Sequence, residues 1–192
     1  MELTKEHELA EKIEKTFAQA KAKVQREKRV IVELPNDEVH AFLSFAKGSL
    51  GFQHLSHISC VDWLEDKKFE LVFIILNYDS MITVIAKTKI DRDKPEFPTL
   101  LGYWPQVETY EREIREMYGV TFVGNNDIRD LILEDWDNIP PMRRDFDTVK
   151  YSRETFFMRE GREDAKDVRE TISEHSGEEI PDLAKIYSVR NT

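Results

Sequence analysis

Three apolar segments rich in β-branched residues follow one another in the middle of the chain, at residues 52–62, 69–78 and 81–90. Segments of this length and composition are typical of β-strands. Only Asp79 and Ser80 separate the second segment from the third, which is short enough for a tight hairpin turn. The sequence therefore predicts three strands, the last two paired antiparallel, and the fold has to be built on the sheet that they form.

The residues before these strands predict a helix, a strand and a second helix. Residues 3–27 are highly charged but carry apolar side chains at helical spacing, which predicts an amphipathic helix. Residues 29–34 (RVIVEL) are short and β-branched, which predicts a strand. The second helix is expected to begin with Asn36 or Asp37 as its N-cap and to end near Gly48.

This order of elements favours the α+β class, with a small antiparallel or mixed sheet and helices packed on one face. We divide the chain into an N-terminal amphipathic helix at residues 1–28, an α+β domain at residues 29–146 and a charged C-terminal tail at residues 147–192. The tail has few apolar residues and cannot bury much surface by itself. It is either disordered or ordered by wrapping around a partner, and we favour wrapping.

The composition excludes several classes of function. The net charge of -10 argues against a nucleic-acid surface, which requires a basic stripe. A single cysteine, Cys60, excludes a disulfide framework and an iron–sulfur cluster held by thiolates of this chain. Because Cys60 lies in an apolar strand pattern, we expect a buried, inert thiol.

Nothing in the sequence predicts a membrane span. The longest apolar run, at residues 71–76, is far shorter than the roughly 20 residues that a spanning helix needs. The charged N-terminus has no signal-peptide core. We therefore expect a soluble, cytoplasmic protein whose link to any membrane is made through partners.

No constellation of catalytic or metal-binding residues is apparent. His54 and His57 are three residues apart, which would place them on opposite faces of a strand and makes a shared metal ion improbable. The chain has no His-Glu-x-x-His motif, Gly-rich phosphate loop or Gly-x-Ser-x-Gly elbow. The sequence therefore predicts a chain with no active site of its own.

Residues 107–118 predict a further amphipathic helix, which Gly119 can end in a left-handed conformation. One face is apolar, with side chains at i, i+3, i+7 and i+10: Val107, Tyr110, Ile114 and Met117. The other face offers two exposed ion pairs at i, i+4: Glu108–Arg112 and Glu111–Arg115. Taken alone, this pattern indicates a surface helix whose ion pairs contribute little to stability.

Two motifs give this helix a more specific interpretation. The sequence EREIREMYGVTFVGNNDIRDLI at residues 111–132 resembles the signature of the 30-kDa subunit of respiratory complex I, the NADH dehydrogenase of respiratory chains. The sequence PMRRDF at residues 141–146 resembles that family's Pro-Leu-Arg-Lys-Asp-Phe element at the expected distance downstream. Val61-Asp62 fits the family's middle region, so the similarity covers residues 30–150 approximately.

At three places the sequence departs from the family pattern, and these departures bear on which kind of complex the chain belongs to. Tyr118 stands where Phe is usual, Asn125-Asn126 where His-Pro is usual, and Pro140 where a His is usual. The family also includes the equivalent subunit of complex I-like membrane-bound hydrogenases and related ferredoxin-dependent oxidoreductases. The departures favour such a relative over NADH:quinone oxidoreductase proper, which stays open as the alternative.

The resemblance implies a cofactor-free subunit in the peripheral arm of a complex I-like, ion-translocating membrane oxidoreductase. Such a subunit docks beside the large hydrogenase-like (49-kDa-type) subunit, along which the tail runs. Iron–sulfur clusters are expected in partner subunits, and the complex would place this chain peripherally at the cytoplasmic face of the cell membrane. No catalytic, cofactor-binding or metal-binding residue is expected here.

We interpret the charged residues of the two motifs as interface and framework residues. We expect them to form buried or interfacial ion-pair networks, because Arg is suited to bidentate pairing with carboxylates. We expect them to lock the helix and the Arg-Arg-Asp segment against the neighbouring subunit. The eight residues are Glu111, Arg112, Glu113, Asp127, Arg129, Arg143, Arg144 and Asp145.

Two alternative interpretations belong to other classes of function. A stand-alone adaptor domain that binds through its charged tail would explain the composition but not the two spaced motifs. A free-standing enzyme would need a nucleophile or base constellation that the sequence does not offer.

Overall fold

The computed structural model describes residues 3–127 and 129–156 of the chain. Among these residues, those up to Phe146 form one compact unit and those from Asp147 onward belong to a second. The elements of the first unit are, in chain order, α1 (Thr4–Thr16), β1 (Lys21–Arg26), β2 (Arg29–Glu33), α2 (Asn36–Ser49), β3 (His54–Trp63), β4 (Lys68–Asn77), β5 (Ile82–Asp91), β6 (Glu96–Pro98), α3 (Val107–Tyr118) and β7 (Thr121–Val123). The described part of the second unit contains the helix α4 (Thr148–Thr155).

Five strands form one mixed sheet in the order β1-β2-β5-β4-β3. β2 and β5 are parallel, and the other neighbours are antiparallel. The three predicted strands and the hairpin between β4 and β5 are confirmed, and so is the α+β class. Two short strands, β6 and β7, form a separate parallel pair.

The core lies between one face of the sheet and the helices. Alternate residues of β4 are fully buried: Phe69, Leu71, Phe73 and Ile75. The helix α2 supplies four buried residues to the same cluster: Val39, Phe42, Leu43 and Ala46. Fully burying a large apolar side chain contributes about 1.5–3 kcal/mol, so this cluster is the main source of stability for the unit.

The N-terminal helix is shorter than expected. α1 ends at Thr16, and β1 occupies residues 21–26. The prediction of a helix over residues 3–27 was therefore wrong beyond Thr16. The assignment of residues 1–28 to an N-terminal helix was wrong beyond the same residue. The sequence KAKVQR alternates charged and apolar residues, and Ala22 and Val24 pack against the core. β1 therefore joins the sheet by pairing antiparallel with β2.

Three smaller features also differ from expectation. α2 is preceded by Pro35 as N-cap, with no side-chain capping bond, instead of by Asn36 or Asp37. β6 was not among the predicted strands, and α4 lies in the expected tail. The prediction that the tail wraps around a partner falls mainly on residues 157–192, outside the described residues.

A β-bulge changes the placement of the two histidines of β3. The pairing with β4 skips one residue between Leu55 and His57, so His54 lies opposite Leu76 and His57 opposite Ile74. The two histidines therefore share a face, and the prediction of opposite faces was wrong. Each ring has its own aromatic neighbour: Tyr78 at 5.5 Å for His54 and Tyr110 at 5.2 Å for His57.

Gly119 provides a direct test of how α3 ends. Its φ is +81°, and a Cβ there would lie 3.2 Å from Cγ of Pro140. The left-handed conformation costs an L-residue about 1–2 kcal/mol, so Gly119→Ala should lower the free energy of unfolding by at least that amount in urea denaturation. Gly48→Ala is the matched control, because Gly48 lies in α2 with open space around it. Gly48→Ala should leave the free energy of unfolding unchanged or raise it by about 0.5–1 kcal/mol. Equal effects of the two substitutions would contradict this account.

Candidate interface site

The first motif folds as a helix followed by a long irregular segment. α3 ends at Gly119, and β7 carries the chain to Val123. Residues 124–127 and 129–146 then contain turns but no helix or strand. We call residues 124–146 the anchored segment, because α3 and the core hold it through the contacts described next.

Glu116 of α3 fixes the middle of the anchored segment. Its carboxylate accepts hydrogen bonds from three successive backbone N–H groups, those of Leu131 at 3.1 Å, Ile132 at 3.0 Å and Leu133 at 3.0 Å. Successive N–H groups that converge on one anion form a nest, in which each bond is strengthened by the charge. The side chain of Glu116 thus determines the path of the main chain over these three residues.

Arg112, one turn earlier in α3, holds the adjacent residues through their carbonyl oxygens. Its Nε donates to the carbonyl of Arg129 at 3.1 Å and its Nη2 to that of Asp130 at 2.7 Å. Asp127 lies 3.8 Å from Nη1 of Arg112 and accepts from Nε of Arg129 at 2.9 Å. The hydrogen bonds from Arg129, with the charge of Arg112, hold the pKa of the Asp127 carboxyl well below its usual range against the opposing effect of burial.

Glu111 is buried in the core and does not lie on a solvated face. Its carboxylate accepts from the hydroxyl of Thr99 at 2.7 Å, the backbone N–H of Leu100 at 2.8 Å and Nδ2 of Asn125 at 2.9 Å. Burial raises the pKa of Glu111, and these three hydrogen bonds oppose the increase. The exposed pair expected between Glu111 and Arg115 was therefore wrong, because the carboxylate points inward and connects two loops.

The second motif is attached to the sheet through a buried carboxylate on β3. Asp62 accepts from Nε and Nη2 of Arg92 at 2.8 and 3.0 Å, and from the backbone N–H of Arg144 at 2.9 Å. Arg92 also donates to Asp145 at 2.7 Å. Burial raises the pKa of Asp62, but the hydrogen bonds from Arg92 and Arg144 outweigh burial and hold it below its usual value.

Each charged residue of the second motif is bound to a different group. Arg143 donates to the carbonyl oxygens of Tyr118 at 3.0 Å and Arg92 at 3.3 Å, and its guanidinium lies 5.3 Å from the centre of the Phe69 ring. Arg144 pairs with Glu65 at 2.6 Å, at the surface. The segment is thus held to the end of α3, to β3 and to the residue after β5.

The structure brings seven of the eight predicted residues into this set of contacts. The eighth, Glu113, is half-buried and has no hydrogen bond or ion pair with any described residue. Sequence reasoning missed Asp62, Arg92 and Glu116 as framework residues. A signal existed for Asp62, since it continues the inward-facing alternation of β3 and a carboxylate there needs a partner.

The anchored segment exposes large apolar side chains although its main chain is fixed. Ile132 is 59% exposed, Met142 is 54% exposed and Ile139 is 41% exposed. Aliphatic side chains on a rigid, irregular segment are suited to fill pockets on a protein partner. The exposed side chains of the anchored segment are therefore suited to binding the surface of another protein.

Three further observations concern metal binding, thiol chemistry and membrane insertion. The described residues contain no group of three or more His, Cys, Asp or Glu side chains that could hold a metal ion. Burial raises the pKa of Cys60 to about 12, so its thiol stays protonated at neutral pH. Within residues 3–127 and 129–156, no helix has the length and apolarity needed to cross a membrane.

Comparison with known proteins assigns this architecture to a family. The family model of the 30-kDa subunit of the respiratory-chain NADH dehydrogenase matches residues 32–152. The chain belongs to the complex I 30-kDa subunit family. The matched range includes the whole anchored segment, both motifs and the strands β3, β4 and β5.

Individual relatives belong to differently named oxidoreductases. One subunit of the NADH-quinone oxidoreductase of Moorella thermoacetica is 33% identical over 59% of this chain and 76% of its own length. One subunit of the F420H2 dehydrogenase of Methanosarcina mazei is 30% identical over 62% of this chain and 76% of its own length. One chain of the membrane-bound sulfane sulfur reductase, an archaeal respiratory membrane complex, is 31% identical, with a TM-score of 0.76 over 85% of this chain and 98% of that one.

The buried carboxylate of Asp62 should be far more important for stability than the exposed carboxylate of Asp145. The two accept from the same guanidinium, but their side chains are 1% and 43% exposed. Asp62→Asn should lower the free energy of unfolding by about 3 kcal/mol, because it leaves Arg92 without its buried charge partner. Asp145→Asn should cost about 0–1 kcal/mol, as exposed pairs do. Equal losses in urea denaturation at pH 7 would contradict this assignment.

The contribution of Asp62 should also depend on pH. Because its folded pKa lies below its value of about 3.9 in unfolded chains, its contribution is fully present above that value and is lost as the pH falls through the folded pKa. The difference in unfolding free energy between wild type and Asp62→Asn should therefore be constant from pH 7 to about pH 5 and should shrink below about pH 4. A difference that persists unchanged at pH 3 would exclude the charge as its cause.

The tether at Glu116 can be tested by amide hydrogen exchange. Hydrogen bonds to a charged group contribute about 1.5–3 kcal/mol, so Glu116→Gln should speed exchange at Leu131–Leu133 by about tenfold or more. Glu113→Gln is the matched control from the same helix and should leave these amides unchanged. Exchange that is insensitive to Glu116→Gln would show that the segment is held by other contacts.

Proposed function

We propose that this chain is a cofactor-free peripheral-arm subunit of a complex I-like, ion-translocating membrane oxidoreductase. In this role it docks beside the large hydrogenase-like subunit of the 49-kDa type, with iron–sulfur subunits in the same complex. It is attached to the cytoplasmic face of the cell membrane through these partners. The anchored segment is the main docking surface.

The observation that carries the proposal is the contrast within the anchored segment. Its main chain is bound by Glu116 and Arg112, while Ile132, Ile139 and Met142 point into solvent. A protein that functioned alone would gain nothing from holding aliphatic side chains in water. Preorganised anchors, by contrast, reduce the entropy that is lost when a partner binds.

Two of the relatives support a complex other than an NADH:quinone oxidoreductase. The sulfane sulfur reductase chain matches over 85% of this chain and the F420H2 dehydrogenase relative over 62%. A membrane-bound hydrogenase or a ferredoxin-dependent relative fits this pattern. The alternative is the same role in an NADH:quinone oxidoreductase, which the Moorella relative favours.

The deciding experiment is affinity isolation of the tagged chain from detergent-solubilised membranes of its native source. We expect a large hydrogenase-like subunit, iron–sulfur subunits and membrane subunits to be recovered with it. The preparation should then oxidise either hydrogen or reduced ferredoxin, whereas oxidation of NADH with quinone would select the alternative. Recovery of the chain alone after gentle extraction would overturn the proposal and favour a stand-alone adaptor.

Substitutions in the anchored segment should weaken this assembly without unfolding the chain. The double variant Ile132→Ser, Ile139→Ser removes two exposed anchors, each expected to contribute more than about 1 kcal/mol if buried by a partner. Recovery of partner subunits should fall by about tenfold or more. Met81→Ser, on the β4–β5 turn and 51% exposed, is the matched control and should leave recovery unchanged. Both variants should unfold like wild type as isolated chains, since exposed side chains contribute little to folding.

A further inference from the structure

A cleft of about 350 Å³ lies between α3 and the edge strand β3, next to the anchored segment. Its wall on the helix side is formed by Ile114, Met117 and Tyr118, and Met142 of the anchored segment also lines it. Binding sites for small molecules and cofactors span roughly 300–1,000 Å³, so this cleft is at the lower limit. The cleft can hold one side chain or a small ligand, and its lining is largely apolar.

Glu113 supplies the one acidic group among the residues that line this cleft. It is half-buried and has no hydrogen bond or ion pair with any described residue, in contrast to Glu111 and Glu116 of the same helix. Its negative charge is close enough to contribute to the raised pKa of Tyr118, although burial is the main cause of that increase. A carboxylate that is partly desolvated without a partner is unfavourable and gains most from a cation.

The chemistry of the cleft selects one kind of occupant. A largely apolar cleft lined by one carboxylate matches a long aliphatic stem that carries a positive charge, as in lysine and arginine. Methionine side chains adapt to such a stem because they are flexible and polarisable. His57, which also lines the cleft, can accept or donate a further hydrogen bond.

We propose that the cleft between α3 and β3 receives a lysine or arginine side chain of a neighbouring polypeptide, whose charged end pairs with Glu113. This inference rests on the proposed function, because it assigns a specific contact within the same docking surface. The cleft adjoins Met142, so the cation and the apolar anchors of the anchored segment would bind one continuous partner surface. Glu113 is then the member of the helix reserved for the partner, whereas Glu111 and Glu116 are used within the chain.

Charge substitution at residue 113, in the complex isolated as above, tests the contact. Glu113→Lys places two cations together and should lower recovery of the partner subunits by at least tenfold, because losing a buried interfacial pair costs several kcal/mol. Glu113→Gln should give a smaller loss. Glu8→Lys, an equal charge change on the exposed side of α1, is the control and should assemble like wild type. All three isolated chains should keep the wild-type melting temperature, which separates a role in docking from one in folding.

A photocrosslinking amino acid at position 117, in the cleft wall, identifies the occupant. In the intact complex, we expect a crosslink to a peptide of another subunit, at or next to a lysine or arginine. Assembly of Glu113→Lys at the wild-type level, or a crosslink to a site without a basic residue, would overturn the inference and leave the proposed function intact. Failure of the wild-type chain to recover any partner would overturn both.

Discussion

The position of the second motif depends on one buried ion pair. Asp62, at the inner face of β3, binds the guanidinium of Arg92 and the backbone N–H of Arg144, and thereby connects the core to the end of the anchored segment. Removing two charges from water is costly and is offset only when geometry and hydrogen bonding are good. The bidentate contact with Arg92 meets this condition. An apolar pair could fill the same space, but it could not orient the main chain of Arg144.

The charged residues of α3 are divided between two tasks. Glu111, Arg112 and Glu116 bind groups of this chain, mostly backbone N–H and carbonyl groups. Their bonds replace the regular secondary structure that the anchored segment lacks, so a long irregular stretch acquires a defined path. Glu113 makes no such bond with a described residue and is the residue that we propose for an external partner. One short helix would then both build the proposed docking surface and contribute to it.

Periodicity predicted the regular elements well. The alternating, β-branched residues predicted β4 and β5, and Gly119 predicted the end of α3. Both features are determined by local chemistry. β1 was missed because its Val24 continues the helical spacing of the apolar residues that precede it. The tether at Glu116 could not be predicted, because backbone N–H groups are present in every sequence and leave no pattern. The family motif located the site, but only the structure showed which charges face inward.

The way that Glu116 and Arg112 hold the anchored segment has an evolutionary consequence. They bind N–H and carbonyl groups that almost every amino acid provides, so residues 129–133 can be exchanged without changing the path of the chain. Mutations there alter which side chains the surface displays and leave its shape intact. A chain built this way can change the side chains that it displays to a neighbour while it keeps the same scaffold.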